Sequence, residues 1–252
     1  MYNYAVKTFV LCPGVERSGT TWLYKYLSSF DNVDFGDMKE YHYFDSLFLK
    51  EYEGYVRINK KHDVIYKFYD NDFNYFNYFL KILNNVDLTA DFSPGYSALD
   101  KKIFEKIKKT FIDLGVNTKC IFLVRDPISR HISATNMRLK RDYETISDFE
   151  YNKQLLDNLK DEVFLINSNY KNDIKKIQDV FKNDLLIIKY ENLFNEQTIK
   201  NLCNFLNLDY KTPNFDLKIN YTISKNNIFN ETMEQLKKHY DEQTNFYNKL
   251  ML

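Results

Sequence analysis

The feature that most constrains this sequence is an apolar strand that runs directly into a glycine-containing loop and then into a helix. The strand covers residues 6–11, the loop begins at Pro13 and Gly14, and the helix begins near Gly19. A unit of this kind presents backbone N–H groups and the positive end of the helix to an anion. The opening of the chain therefore predicts an α/β fold with a cradle for a phosphate-type anion.

The rest of the chain continues the alternation of strands and helices. Apolar runs predict further strands at 86–90, 119–124 and 184–189, and helical periodicity or helix-start signals indicate helices at 73–83, 100–114, after Pro127, and at 147–159, 170–181, 197–207 and 231–250. Such alternation is typical of a parallel sheet covered on both faces. We predict one domain over residues 1–252, with a P-loop-like three-layer α/β fold. Residues 46–55 are compatible with a helix, and 57–72 carry no readable pattern.

The loop resembles a nucleotide-binding P-loop in spacing but not in chemistry. Gly14 and Gly19 have the spacing of that motif, but Thr20 stands where a P-loop has lysine. That lysine reaches the β- and γ-phosphates of ATP or GTP, so its absence disfavours ordinary kinase chemistry. A merely structural turn remains an alternative for this segment taken alone.

A second candidate anion site follows the strongest predicted strand. Arg125 leaves the carboxyl end of strand 119–124, where ligands bind in open α/β folds, and Ser133 lies eight positions later on the next helix. An arginine and a helix hydroxyl can clamp a second phosphate. Read alone, the Arg-Asp-Pro sequence is equally compatible with a salt-bridged helix start.

Both motifs together resemble the sulfotransferases that use 3′-phosphoadenosine 5′-phosphosulfate (PAPS). The similar segments are the loop at 13–21 and the Leu-Val-Arg-Asp-Pro segment with its later serine at 123–133. The resemblance implies that the second motif, Arg125 and Ser133, binds the 3′-phosphate. It implies that the 5′-phosphosulfate is bound by Arg17, Ser18, Gly19, Thr20 and Thr21.

A third segment is similar to the heparan sulfate glucosaminyl sulfotransferases. Residues 39–45 resemble the Glu-x-His-Phe-Phe-Asp segment of that branch, and residues 91–96 resemble its Glu-Lys-Thr-Pro-x-Tyr segment. This resemblance implies that Glu40 is the catalytic base and that His42 orients the acceptor or shares the proton. Residues 189–193 match a further family segment, for which we expect a structural role.

The sequence departs from the family pattern at several positions. Arg17 stands where many of these enzymes have lysine, and Phe92 replaces the lysine of the Glu-Lys-Thr-Pro segment. The region 47–72 is longer than expected, with no role that the sequence reveals. Lys225 is a weakly matched candidate contact to the 3′-phosphate, and the membrane anchor of the Golgi enzymes has no counterpart here.

The expected reaction is transfer of a sulfuryl group from PAPS to a hydroxyl or amine, with a carbohydrate as the expected acceptor. Glu40 would take the acceptor proton, Arg17 would stabilise the departing phosphate of PAP (adenosine 3′,5′-bisphosphate), and no metal would be needed. Two alternatives stay open: a P-loop kinase of small molecules or nucleotides, and a non-catalytic module that binds nucleotides or glycans.

Composition limits the partners. Lysine plus arginine equals aspartate plus glutamate, 35 each, so no overall field would attract nucleic acid or an anionic membrane. The three cysteines are scattered, and no signal-peptide pattern or apolar run of spanning length is visible. We therefore expect a cytoplasmic protein that binds neither nucleic acid nor membrane. The acceptor's identity, O- versus N-sulfation and the oligomeric state are left open.

Two features of the sequence favour packing over ligand binding. His131 lies on the helix after Pro127, where a packed imidazole is the more common role. The aromatic run 73–79 could stack sugars, but its helical spacing is more typical of a hydrophobic core.

Overall fold

A computed structural model describes residues 6–59, 63–142, 146–217, 219 and 226–250. Its centre is a parallel sheet with the strand order β2-β1-β3-β4. The strands are β1 (Thr8–Leu11), β2 (Leu88–Asp91), β3 (Asn117–Val124) and β4 (Leu185–Lys189). The α/β fold class is confirmed, and each strand lies within two residues of its predicted position.

Helices fill the connections between the strands. In the described part of the chain they are α1 (Thr20–Leu27), α2 (Tyr43–Phe48), α3 (Gly54–Asn59), α4 (Asp63–Tyr66), α5 (Phe73–Leu83), α6 (Lys101–Asp113), α7 (Pro127–Asp142), α8 (Asp148–Asp157), α9 (Glu162–Ile166), α10 (Tyr170–Phe181), α11 (Glu196–Leu206), α12 (Asn230–His239) and α13 (Asp241–Lys249). Short 3₁₀ segments supplement them, including Lys50–Tyr52, Pro94–Ala98 and Tyr190–Asn192. No helix of the described residues is long and apolar enough to cross a membrane.

Both faces of the sheet are buried, because successive side chains of a strand point to opposite faces. Phe9 and Phe122 belong to one hydrophobic cluster, which includes buried residues of α5, α6 and α10. Val10 and Leu123 belong to a second cluster on the other face, against α1 and α11. The three-layer arrangement predicted from the sequence follows from this two-sided burial.

The carboxyl ends of the four strands lie at one edge of the sheet, which is the usual ligand edge of such folds. The loop 12–19 leaves β1 there, and the segments after β2, β3 and β4 begin beside it. A backbone hydrogen bond from the N–H of Cys12 to the carbonyl of Asp91 (2.9 Å) joins the first two of these segments. The candidate residues are therefore brought together by strand order rather than by closeness in sequence.

Two regions differ from the sequence prediction. The single helix predicted at 231–250 is two helices, α12 and α13, which meet at Tyr240. The Tyr240 side chain is 2% exposed and its hydroxyl lies 2.9 Å from Nδ1 of His131, so the chain turns where this side chain enters the interior. The helix predicted at 46–55 is divided: α2 ends at Phe48, a 3₁₀ segment covers Lys50–Tyr52, and α3 begins at Gly54.

Candidate active site

The loop after β1 is fixed by backbone hydrogen bonds to the neighbouring strand. The N–H of Val15 donates to the carbonyl of Leu123 (2.7 Å), and the N–H of Leu123 donates to the carbonyl of Gly14 (3.0 Å). Gly19 has φ = +92°, and a Cβ there would lie 2.6 Å from Cδ2 of Leu193. Glycine is therefore required at this position both by its left-handed conformation and by the lack of space.

Two buried polar atoms near this loop have no hydrogen-bond partner among the described residues. They are Oγ of Ser18 and Nε of Arg125. A buried polar group left unsatisfied costs about 1–3 kcal/mol, so such groups are uncommon unless a ligand completes them. A hydroxyl and a guanidinium N–H are both suited to an anionic oxygen. The residues present thus fit a ligand with the phosphate groups of PAPS.

Arg17 lies with Arg125 and Ser133, although the sequence analysis assigned it to the other end of the donor, the 5′-phosphosulfate. Nε of Arg17 donates to Oγ of Ser133 (3.1 Å), and Nη1 of Arg125 donates to the carbonyl of Arg17 (3.1 Å). Nη1 of Arg17 also contacts Sδ of Met137 at 3.3 Å. Burial and the neighbouring Arg125 lower the pKa of Arg17. These contacts direct the Arg17 side chain toward α7, on the side of the predicted 3′-phosphate site.

The segment after β4 holds Arg125 in place. The guanidinium carbon of Arg125 lies 4.3 Å from the ring centroid of Tyr190, a cation–π distance. The hydroxyl of Tyr170 donates to the backbone carbonyl of Arg125 (2.8 Å). We expected a structural role for residues 189–193. Tyr190 contacts a candidate binding residue and supports its position, which agrees with that role, although the motif alone could not show which residue it contacts.

Glu40, His42 and Asp45 form a hydrogen-bonded series. Nε2 of His42 lies 3.1 Å from Oε2 of Glu40, and Nδ1 lies 2.6 Å from Oδ2 of Asp45. The Asp45 side chain is fully buried, whereas that of Glu40 is 35% exposed. Asp45 therefore orients the imidazole and Glu40 faces the open side. Asp45 lies in the segment 39–45 that carries the resemblance, and the sequence signal for its role is its spacing of three residues from His42.

The charges of this series are set by its own hydrogen bonds. Burial favours the neutral imidazole, but the hydrogen bonds to Asp45 and Glu40 outweigh it and raise the pKa of His42 to about 10. Burial alone would raise the pKa of Glu40, but the hydrogen bond from His42 and the charge of Lys39 lower that pKa to about 2. At neutral pH His42 is therefore an imidazolium and Glu40 a carboxylate.

Lys39 connects this series to the loop. Its Nζ donates to Oγ1 of Thr20 (3.2 Å) and forms an ion pair with Glu40. The N–H of Phe92 donates to the carbonyl of Lys39 (3.2 Å), so the lysine lies beside the segment that follows β2. The role of Lys39 could not be predicted from the sequence, because its contact with Thr20 depends on the pairing of β1 with β2.

Tyr52 and Tyr55, in the region after α2, cover the ring of His42, and we call these two residues the wall over His42. The ring of Tyr55 stacks on the imidazole of His42 with centroids 4.0 Å apart. The buried Tyr52 hydroxyl donates to Oε1 of Glu16 (3.3 Å) and accepts from Nδ2 of Asn167 (3.0 Å). The part of 47–72 that contains these tyrosines thus lies against both the candidate base series and the loop.

Other candidates are placed as follows. Thr21 is half-buried in the first turn of α1, and Lys225 lies outside the described residues.

His131 is buried, and its two ring nitrogens lie 2.9 Å from the Tyr240 hydroxyl and the Leu155 carbonyl, which confirms its packing role. The run 73–79 contributes Tyr75, Phe76 and Phe79 to the core, as its spacing indicated. No group of three His, Cys, Asp or Glu side chains within the described ranges could hold a metal ion.

The fold and the site define an α/β protein with a P-loop-like anion cradle and a carboxylate–imidazole series beside it. A family model described as the sulfotransferase domain matches residues 7–250. The chain therefore belongs to the sulfotransferase domain family, and it is a sulfotransferase, a class of enzyme that generally uses PAPS as donor.

Solved structures show the same fold. A sulfotransferase from Alicyclobacillus acidocaldarius is similar with a TM-score of 0.63 and 17% identity, over 98% of each chain. The sulfotransferase domain of the curacin biosynthetic pathway has a TM-score of 0.53 and 15% identity, over 98% of this chain and 99% of that one. No curated protein matches the chain in sequence.

Proposed function

We propose that this enzyme transfers the sulfuryl group of PAPS to a hydroxyl or amine of a carbohydrate, with Glu40 as the general base. The observation that carries the proposal is the placement of Glu40, held by His42 at 3.1 Å, beside a loop with an unsatisfied buried Ser18 hydroxyl. The residues that would take a proton and those that would bind an anion meet at one edge of the sheet.

The donor would be held at both of its ends. Ser18, Gly19, Thr20 and Thr21 would bind the 5′-phosphosulfate at the amino end of α1, where backbone N–H groups are unpaired within the helix. Arg125, Ser133 and Arg17 would bind the 3′-phosphate. Their hydrogen bonds to one another at 3.1 Å support a single shared anion site. A donor with phosphates at both ends of its ribose needs two such sites.

Glu40 would accept the proton of the acceptor as the acceptor oxygen or nitrogen attacks sulfur. The new bond to sulfur forms while the bond from sulfur to the bridging phosphate oxygen breaks, and the electron pair remains on the phosphate of PAP. General-base assistance of this kind contributes about 10²–10⁴-fold to the rate. His42 stays protonated and keeps the Glu40 carboxylate oriented, because Asp45 holds its other ring nitrogen at 2.6 Å.

Two features support a carbohydrate acceptor. Residues 39–45 resemble the corresponding segment of the heparan sulfate glucosaminyl sulfotransferases, and the half-exposed Tyr55 ring borders His42 at 4.0 Å. Aromatic rings next to polar catalytic groups are suited to the apolar face of a sugar ring.

The acceptor class can be tested with a panel of PAPS reactions followed by mass spectrometry. Glucosamine-containing oligosaccharides, tyrosine peptides and simple alcohols would be compared at equal concentration. We expect sulfated product from the oligosaccharides and much less from the other two. Sulfation of peptides or alcohols alone would contradict the carbohydrate assignment while leaving sulfuryl transfer intact.

A further inference from the structure

The loop of this enzyme has no lysine of its own at the position where a P-loop has one. That position is Thr20, the first residue of α1. A cation at the start of this helix would add to the positive end of the helix dipole and neutralise an anion bound there. In this chain the cation can come from Arg17, three residues earlier in the loop, or from another segment.

Lys39 lies where such a cation is needed. Its Nζ is 3.2 Å from Oγ1 of Thr20, and its side chain is only 18% exposed. The lysine is supplied by the segment beside β2, where the N–H of Phe92 donates to its carbonyl. Phe92 contributes only its backbone to this contact, while its buried side chain packs against Tyr24 and Phe35.

Arg17, the cation first expected beside the departing phosphate, has its side-chain contacts elsewhere. Its Nε donates to Ser133 and its Nη1 contacts Met137, both on α7. Its carbonyl accepts from Arg125, which places it in the predicted 3′-phosphate site. The two cations therefore lie at different ends of the donor site.

We propose that Lys39, and not Arg17, is the catalytic residue that contacts the transferred sulfuryl group and the departing 5′-phosphate of PAP. This assignment rests on the proposed function. Lys39 forms an ion pair with Glu40. When donor binds, its anionic oxygens compete for the ammonium group. Lys39 then neutralises the charge left on the phosphate, while Glu40, released from the ion pair, becomes a stronger base for the acceptor proton.

Calorimetry with three ligands measures the contribution of each donor phosphate to binding. The ligands are PAP, adenosine 3′-phosphate and adenosine 5′-phosphate. Lys39→Met removes one charge while keeping the length of the side chain, and Arg17→Met is its matched counterpart. Loss of a charged hydrogen bond weakens binding roughly ten- to hundredfold. We expect Lys39→Met to weaken PAP binding by this amount and to leave the affinity for adenosine 3′-phosphate within about twofold.

The expected result for Arg17→Met is the reverse pattern: weaker binding of PAP and of adenosine 3′-phosphate, with unchanged binding of adenosine 5′-phosphate. Lys39→Arg keeps the charge and should restore most of the PAP affinity, which a purely structural role would not require. Thermal unfolding of each variant checks the fold.

Unchanged PAP affinity in Lys39→Met, or an exchange of the two patterns between the variants, would overturn the assignment and leave the proposed function standing. Failure of the unmodified enzyme to bind PAP would instead overturn the proposed function, and the role of Lys39 with it.

Discussion

Glu40 lies between two cations, and this placement determines the protonation state of its carboxyl group. Lys39 forms an ion pair with it, and His42 lies 3.1 Å from its other oxygen. Both partners favour the carboxylate form, which is the form that can take a proton from an acceptor.

Replacing Glu40 by glutamine tests the base directly. The amide keeps the shape of the side chain but cannot accept the proton, so we expect turnover to fall by about 10²–10⁴-fold while PAP affinity is retained or increased, because Lys39 loses its ion pair with Glu40. The measurement is turnover together with calorimetry. Glu53→Gln, an exposed glutamate of the neighbouring segment, is the matched control. Turnover unchanged in Glu40→Gln would remove Glu40 as the base.

The pH profile tests the hydrogen bond between His42 and Glu40. Because the pKa of Glu40 is lowered to about 2, its carboxylate persists through mildly acid pH and kcat/KM should show no acid limb from it above about pH 4. In His42→Asn the imidazolium is lost and the pKa of Glu40 rises, so an acid limb should move to higher pH. The same acid limb in both proteins would contradict this coupling.

At the residue scale the sequence identified candidate site residues, but it did not predict the contacts between residues that are distant in sequence. Glu40, His42, Arg125 and Ser133 could be identified because their motifs are local. The importance of Lys39 could not, because its partner Thr20 is 19 positions away and the two meet only through sheet pairing.

Among the elements, the segment from α2 to α3 changes the site most. Gly95 allows its close approach: a Cβ there would lie 2.8 Å from Cε1 of Tyr52 and would also collide with the carboxylate of Asp45. The wall over His42 therefore depends on a glycine in the 3₁₀ segment that follows β2.

Gly95→Ala should displace this wall. Overpacking of this kind costs about 1–3 kcal/mol in stability. We expect kcat/KM for the acceptor to fall much more than PAP affinity, since Tyr52 contacts the loop at Glu16, which is not one of the residues proposed to bind the donor. Gly54→Ala, in the same segment but with nothing within 4 Å of the added Cβ, is the control. Equal effects of the two variants on acceptor turnover would show that the wall has no part in acceptor binding.

The element prediction succeeded where periodicity was strong. Helix α10 was predicted at 170–181 and is found at Tyr170–Phe181, because its apolar side chains repeat at helical spacing against one face of the sheet. The helix predicted at 46–55 is divided, and residues 57–72 carried no readable pattern, because the buried aromatic side chains of this region, Tyr52 and Phe68 among them, are placed by tertiary packing rather than by a local repeat. The division of the last predicted helix at Tyr240 likewise depends on tertiary packing, because the buried hydroxyl of Tyr240 lies 2.9 Å from Nδ1 of His131.

On the scale of the whole molecule, a chain with equal numbers of acidic and basic residues concentrates cations at one sheet edge. Lys39, Arg17 and Arg125 come from three segments that are adjacent only because β1 lies between β2 and β3. The alternation of strands and helices predicted the fold class. It did not predict the strand order, which brings the site residues together. Local electrostatics and not net charge should therefore govern donor binding.

Calorimetry with PAP, compared with Mg-ATP, tests the account most directly. The unmodified enzyme should bind PAP and not Mg-ATP. Arg125→Ala should weaken PAP binding roughly ten- to hundredfold because a charged hydrogen-bonding group is lost. Arg138→Ala, which removes an arginine paired with Asp161, should leave PAP binding unchanged. Preferential binding of Mg-ATP, or PAP binding that does not depend on Arg125, would contradict the donor site described here.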